Sequence, residues 1–273
     1  MTSPLELAGK VAIVTGAGRL RGIGRESALV LARRGADVVI TGTGRDPKTF
    51  PDDEKKAGWN DIESVAGEIR NLGRRALPVV VDVSNQGQVE ALFDRVIREL
   101  GRVDVMVNNA AAPYGKDRVP VIEVDPAVFE HVIKVKVMGT FFCSRAAVKQ
   151  MLKQGQGGRI VNLSSTAGKR GTARMAAYNA SNFAVDGFTQ ALAKEVALDK
   201  ITVNSVCPGL IETARMDPLG RDEFWQERVK GIPMGRVGED WEVAELIGYL
   251  CSPRAAYITG QAISINGGAL TER

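Results

Sequence analysis

Histidine occurs once in the 273 residues, at His131, and cysteine three times. No Cys/His spacing of the metal-ligand kind is present, so a catalytic metal is not expected. Cys143, Cys207 and Cys251 are far apart, odd in number and set in apolar contexts. They build no disulfide framework, which points to a reducing compartment. No apolar run approaches the roughly 20 residues that span a bilayer. The opening MTSPLELAGK lacks the basic start and apolar stretch of a signal peptide, so the expectation is a cytoplasmic protein with no membrane association. A one-signed charge is also missing: 36 basic residues are interspersed with 32 acidic ones for a formal charge of +4. That scatter argues against a nucleic-acid surface and leaves small anionic molecules to account for the basic excess.

What is present is alternation. KVAIVTG, ADVVITG, RALPVVVDV, VDVMVNNAA, GRIVNLSS and ITVNSVCPG are short β-branched runs separated by stretches of helical period. Strands this apolar are buried on both faces, and strand–helix alternation of this kind gives a parallel sheet covered by helices. The expected fold is a single α/β domain over residues 1–273, a Rossmann-type doubly wound sheet with helices on both faces. One helix is predicted from about Pro126 to Gln154 and another from about Ala176 to Leu198. Two segments break the rhythm. An inserted loop at about 43–61 is polar and too long for an ordinary connection, and a segment at about 212–231 reads as a substrate lid.

VTGAGRLRGIGRE follows the first strand and opens the first helix. Gly16, Gly22 and Gly24 permit a tight turn and close backbone approach, so that phosphates can sit at the positive end of the helix starting near Ile23. Here the chain resembles the classical short-chain dehydrogenase/reductase family, whose pattern is Thr-Gly-x-x-x-Gly-x-Gly. Thr15, Gly16, Gly22 and Gly24 match, with two extra residues between the first two glycines. Further matches are VDV at 81–83, NNAA at 108–111, NLSS at 162–165, Tyr178, PGLIET at 208–213 and YITGQAISINGG at 257–268. The resemblance covers nearly the whole chain. It implies an oxidoreductase interconverting a carbonyl and an alcohol of a small-molecule substrate, and a homo-oligomer, tetramer or dimer, packed through the long helices carrying Val137 and Ala184. It also implies cofactor contacts by Asp82 and Val83 at the adenine, by Asn108, Asn109, Ala110 and Ala111 along the cleft, by Pro208 and Gly209 after strand six, and by Ile211 and Thr213 at the nicotinamide amide. Ala111 stands where the family usually has glycine.

Cofactor choice is argued at the end of the second strand. Gly42 stands where an NAD-selecting carboxylate would hydrogen-bond the ribose. Thr43 and Arg45 follow, and Arg21 comes from the glycine loop. Two guanidiniums with no competing carboxylate suit an extra phosphate, so NADP(H) is expected, with NAD(H) as the other candidate.

Hydride transfer to a carbonyl requires an acid beside the substrate oxygen and a second donor to hold it. By resemblance these are Tyr178 and Ser165, thirteen residues apart. A free tyrosine titrates near 10, and a neighbouring cation commonly lowers such a value by about 1 to 3 units. The family places a lysine four residues after its tyrosine; this chain has Asn182. Conversely, the family usually has asparagine before Gly-Thr-Phe, where this chain has Lys136. Helical spacing sets Lys136 on the same face as Val132 and Thr140, inward, whereas Lys134 has Glu130 four residues before it. The expectation is an exchange: Lys136 supplies the charge beside Tyr178, and Asn182 keeps hydrogen bonds to the nicotinamide ribose. Lys169 and Arg170 are rival cations. Two other readings stand beside this one: a catalytically silent nucleotide-binding subunit of a hetero-oligomer, or a reductase of C=C or C=N bonds.

Overall fold

The structure, a computed structural model, describes residues 5–271; residues 1–4 and 272–273 of the expected domain lie outside the described residues. Seven strands form one parallel sheet: β1 Val11–Val14, β2 Asp37–Gly42, β3 Ala76–Val80, β4 Val105–Asn108, β5 Gly158–Leu163, β6 Ile201–Pro208 and, last in the chain, β9 Ala262–Ile265. Their order is β3-β2-β1-β4-β5-β6-β9. Two short strands, β7 Ile211–Glu212 and β8 Gly238–Glu239, pair separately.

The period of two along each strand separates two cores. Ala12, Val14, Val38, Ile40, Val105 and Val107 pack on one face beneath helices α1 Ile23–Arg33, α3 Asp61–Asn71 and α9 Asp240–Cys251. Val11, Ile13, Val39, Met106 and Ile160 pack on the other beneath α4 Gln86–Leu100 and α6 Gly139–Gln154. Strands facing both cores read as near-continuous apolar runs, interrupted by buried polar residues such as Asn162 in β5 and Asn204 in β6. Cys143, Cys207 and Cys251 are buried free thiols, and burial pushes each up to about 12, where they stay protonated.

The helix expected from 126 to 154 is not uniform. It runs as α5 Pro126–Ile133, then one π-helical turn Lys134–Met138, then α6. A π turn inserts an extra residue into the i→i−4 ladder and so re-aims the side chains it contains. Facing it is α7 Ala176–Val196, which closes in a 3-10 turn, Ala197–Asp199. The long connection after β2 folds as a 3-10 turn, Pro47–Thr49, and a short helix, α2 Asp52–Lys56. The expected lid segment holds a 3-10 turn, Ala214–Leu219, and α8 Glu223–Lys230, anchored by buried Trp225. No helix of the described residues is long and apolar enough to cross a membrane.

Candidate active site

Strand order reverses between β1 and β4, so the loops after these strands diverge and open a crevice at their C-terminal ends. A cleft of about 490 Å³ occupies it. Of the predicted cofactor residues, Gly16, Thr43, Arg45, Asp82, Val83, Ala110 and Ala111 line this cleft. Gly16 has φ +66°, and a Cβ there would stand 2.8 Å from the Ala110 Cα; only glycine fits. Thr15 and Asn109 brace the turn rather than line it. Thr15 Oγ1 accepts from the Asn109 and Ala110 amides, while Asn109 Nδ2 donates to the carbonyls of Thr15 and Gly16 at 2.8 and 2.9 Å. Asn108 is buried and donates to Ser144 and Asn162, so it ties β4 to β5 and α6 instead of facing the cleft. Gly22 caps α1 without a side-chain hydrogen bond, leaving the amides from Ile23 onward free for an anion.

The premise that no carboxylate competes with the arginines is corrected by the inserted segment. Asp61, the first residue of α3, lines the cleft, and its carboxylate lies 3.5 Å from where a Gly42 Cβ would be. Arg45 is clamped by it and by fully buried Glu54: Nη1 donates to Glu54 Oε2 at 2.7 Å and Nη2 to Asp61 Oδ1 at 2.9 Å. Arg21 does not line the cleft; it pairs with Asp53 and Asp217, each at 2.6 Å. The cation that lines the cleft unpaired is Arg19, which makes no side-chain hydrogen bond or ion pair among the described residues. Burial, then the repulsion of Arg45, holds its guanidinium below the ordinary value.

The same insertion explains the two extra residues of the glycine loop. Glu54 accepts from the Leu20 amide at 3.0 Å, and the Trp59 indole and Arg45 both donate to the Gly18 carbonyl, at 2.7 and 3.0 Å. The bulge in one loop is therefore held by the excursion of the other.

Ser165 follows β5 and caps the 3-10 turn Thr166–Gly168; its Oγ accepts from the Ala167 amide at 3.1 Å and keeps its own proton for donation. Tyr178 sits in the first turn of α7. Both line one cavity of about 190 Å³, together with Gly209, Leu210, Met175, Ala167 and Met216. Tyr114 and Arg215 line both this cavity and the nucleotide cleft, so the two spaces adjoin. Pro208 is buried in β6, and Ile211 and Thr213 are buried at β7 and before the following turn. Phe224 and Trp225 of α8 do not line the cavity, to which α8 contributes Arg228.

A family model described as enoyl-(acyl carrier protein) reductase matches residues 16–270. The chain is 36% identical over 265 residues to the Aquifex aeolicus protein named 3-oxoacyl-[acyl-carrier-protein] reductase FabG, covering 97% of this chain and 98% of that one. It is likewise 36% identical over 259 residues to the Escherichia coli protein named uncharacterized oxidoreductase YohF, covering 95% of each. A solved structure from Sinorhizobium meliloti, assigned to the short-chain alcohol dehydrogenases, superposes with a TM-score of 0.85 at 33% identity over 98% of both chains. This chain belongs to the short-chain dehydrogenase/reductases. It is an oxidoreductase, of a family that uses nicotinamide dinucleotides, and the cleft fits such a cofactor: an uncapped helix N-terminus, glycines whose Cβ would fill the cradle and an unpaired cation beside it.

Against that family pattern, the Lys136 and Asn182 departures acquire geometry. Lys136 lies in the π turn and is 5% exposed. Its ammonium has no hydrogen bond or ion pair among the described residues. Burial, then repulsion by Arg215, lowers it to about 8, against the attraction of Asp186 and Cys207. Asp186 is one turn beyond Asn182 on α7, so Lys136 feels the Asn182–Asp186 face of that helix. Lys134, in contrast, is exposed and pairs with Glu130 at 2.8 Å. Asn182 itself is fully buried, donates to the Tyr178 carbonyl at 2.8 Å and has a buried Oδ1 with no partner. Neither Asn182 nor Lys136 lines the cleft or the cavity.

Two further cations went unnoticed in the sequence. Arg118 and Arg215 stand 3.9 and 5.7 Å from the Tyr178 ring centroid. Arg118 lies in a loop and Arg215 in a short 3-10 turn, where no sustained periodicity signals direction. His131 also lines the nucleotide cleft.

Proposed function

We propose that the protein is an NADP(H)-dependent ketoreductase in which Tyr178 is the acid/base, Ser165 the oxyanion donor and Lys136 the cation that the family keeps at the Asn182 position. The observation that carries this reading is the shared cavity: Ser165 and Tyr178 line one space, and it adjoins the nucleotide cleft through Tyr114 and Arg215. A bound reduced nicotinamide supplies hydride to the carbonyl carbon. Tyr178 then gives its phenolic proton to the carbonyl oxygen, and the Ser165 hydroxyl donates to the same oxygen as charge develops. Lys136, buried without a counter-ion on the Asn182 face of α7, stabilises the resulting phenolate. Reduction of C=O is favoured over C=C or C=N because both Ser165 and Tyr178 offer protons to one developing oxyanion. The FabG-named relatives point the same way.

The choice of NADP(H) rests on which charged group is free. A site that selects the ribose diol needs an available carboxylate, and a site that selects the 2′-phosphate needs an available cation. At this end of the cleft Asp61 and Glu54 are both occupied by Arg45, and Arg19 is unpaired. We assign the phosphate to Arg19, in place of Arg21, and lid closure to the segment carrying Arg215 and Arg228. Assembly into a homo-oligomer would use the α6/α7 side, where Ala184 and Phe183 are exposed and Val137 half-buried.

The test is NADPH and NADH oxidation with a panel of ketones. Tyr178→Phe and Ser165→Ala are expected to lower kcat by at least about 100-fold. Arg19→Ala is expected to raise KM for NADPH by at least about tenfold and leave KM for NADH within about threefold. Tight NADPH binding with no turnover of any ketone would reject the enzyme in favour of a silent nucleotide-binding subunit. A twofold or smaller preference for NADPH over NADH would reject the cofactor assignment.

A further inference from the structure

The charge around the substrate cavity is unbalanced. Arg118, Arg170, Arg215 and Arg228 line it, and no aspartate or glutamate does. Arg118 is the critical one, since its side chain is nine-tenths buried, with 10% exposure. Buried Nε and Nη1 have no hydrogen-bond partner. The nearest acid, Asp117, approaches Nε only to 3.4 Å, an ion contact too poorly aligned to satisfy the donor. Burial pushes the guanidinium below its ordinary value, against the attraction of Asp117. Unsatisfied buried donors on a charged fork are costly, and the group that completes them is an anion with two acceptor oxygens.

That anion does not come from the nucleotide by position. Arg215 lines both spaces, and its Nη1 is engaged by the Ala112 carbonyl. Arg118 lines only the substrate cavity. The cavity of about 190 Å³ is also smaller than the roughly 300 Å³ at which drug-sized pockets begin. Its occupant is small, and the guanidinium 3.9 Å from the Tyr178 ring leaves few bonds between the anionic group and the reacting carbon.

We propose that the substrate is a small oxo acid whose carboxylate is held by Arg118 while its ketone meets Tyr178 and Ser165. The proposal deepens the ketoreductase reading and rests on it for the reaction, though not for the binding of the acid. Arg170 and Arg228, neither of which forms an ion pair among the described residues, add attraction at the rim.

Two measurements test it. In turnover, acetoacetate is compared with methyl acetoacetate and with the neutral thioester S-acetoacetyl-N-acetylcysteamine. The acid is expected to exceed both in kcat/KM by at least about tenfold. Arg118→Met is expected to raise KM for the acid by a similar factor and to erase most of the preference, and Arg118→Lys to restore part of it. In calorimetry without turnover, butanoate is expected to bind wild-type protein at least about tenfold tighter than butanamide, and Arg118→Met to remove the difference. Equal binding of butanoate and butanamide, faster reduction of the ester or thioester, or an equal loss for acid and ester in Arg118→Met would overturn the proposal. Selective butanoate binding with no ketone reduced would sustain the anion site and reject the ketoreductase reading instead.

Discussion

Lys136 is held where a charge is expensive. Its ordinary value of 10.5 falls to about 8 on burial, and that difference corresponds to an upper bound of about 3 kcal/mol of lost stability. The pH window follows from the direction of the shift. Below pH 8 the lysine is charged in both folded and unfolded chains, so the native state carries the whole penalty. Between about 8 and 10.5 the folded lysine sheds its proton while the unfolded one keeps it, and stability rises. Lys136→Met should therefore be more stable than wild type at pH 7, by up to about 3 kcal/mol and several degrees in Tm, with the gap closing towards pH 10.5. Denaturant titrations of both proteins across that range check it; a less stable Lys136→Met at pH 7 would reject the penalty. The inward position of Lys136 was readable from helical spacing because Val132 and Thr140 flank it on one stripe. Arg118 and Arg215 were unreadable for the opposite reason: a loop or a single 3-10 turn imposes no sustained period, and an arginine there has no sequence mark that distinguishes solvent from a buried aromatic face.

At the scale of elements, two irregular segments of the chain form one structure. The lengthened glycine loop and the 43–61 insertion meet at Glu54, Trp59 and Gly18. Each was visible as an irregularity in the sequence, but their contact was not, since it joins Leu20 to a residue 34 positions away. Removing one partner from a buried ion pair typically costs about 3 to 5 kcal/mol. Glu54→Ala is thus expected to lower stability by about 3 kcal/mol and to weaken NADPH binding by at least about tenfold, because Arg45 and the Leu20 amide lose the acceptor that shapes the cradle. Thermal unfolding and a fluorescence titration with NADPH read the two effects separately; unchanged NADPH affinity would show that the clamp does not set the cleft. The helix over 126–154 is a similar case. Its existence was legible, and its π turn was not, because a π turn has the same apolar content as the α-helix around it.

For the whole molecule, the doubly wound sheet was the most legible feature: six apolar runs and their alternation suffice, since burial on both faces leaves no polar side to confuse the period. Assembly is less directly written, because an exposed apolar helix face looks like any surface until a second copy covers it. With Phe183 at 46% and Met138 at 36% exposure, light scattering should give two or four times 29.3 kDa, and Phe183→Glu should shift the population towards the monomer; a 29.3 kDa species at micromolar concentration would contradict this. What joins the scales is the proposed exchange of Lys136 and Asn182 between the π turn and α7, and NADPH-dependent ketone reduction by Lys136→Asn, Asn182→Lys and the double variant tests it most directly. The account predicts that Lys136→Asn loses at least about 100-fold in kcat and that adding Asn182→Lys recovers activity to within about tenfold of wild type. Full turnover by Lys136→Asn alone would contradict it.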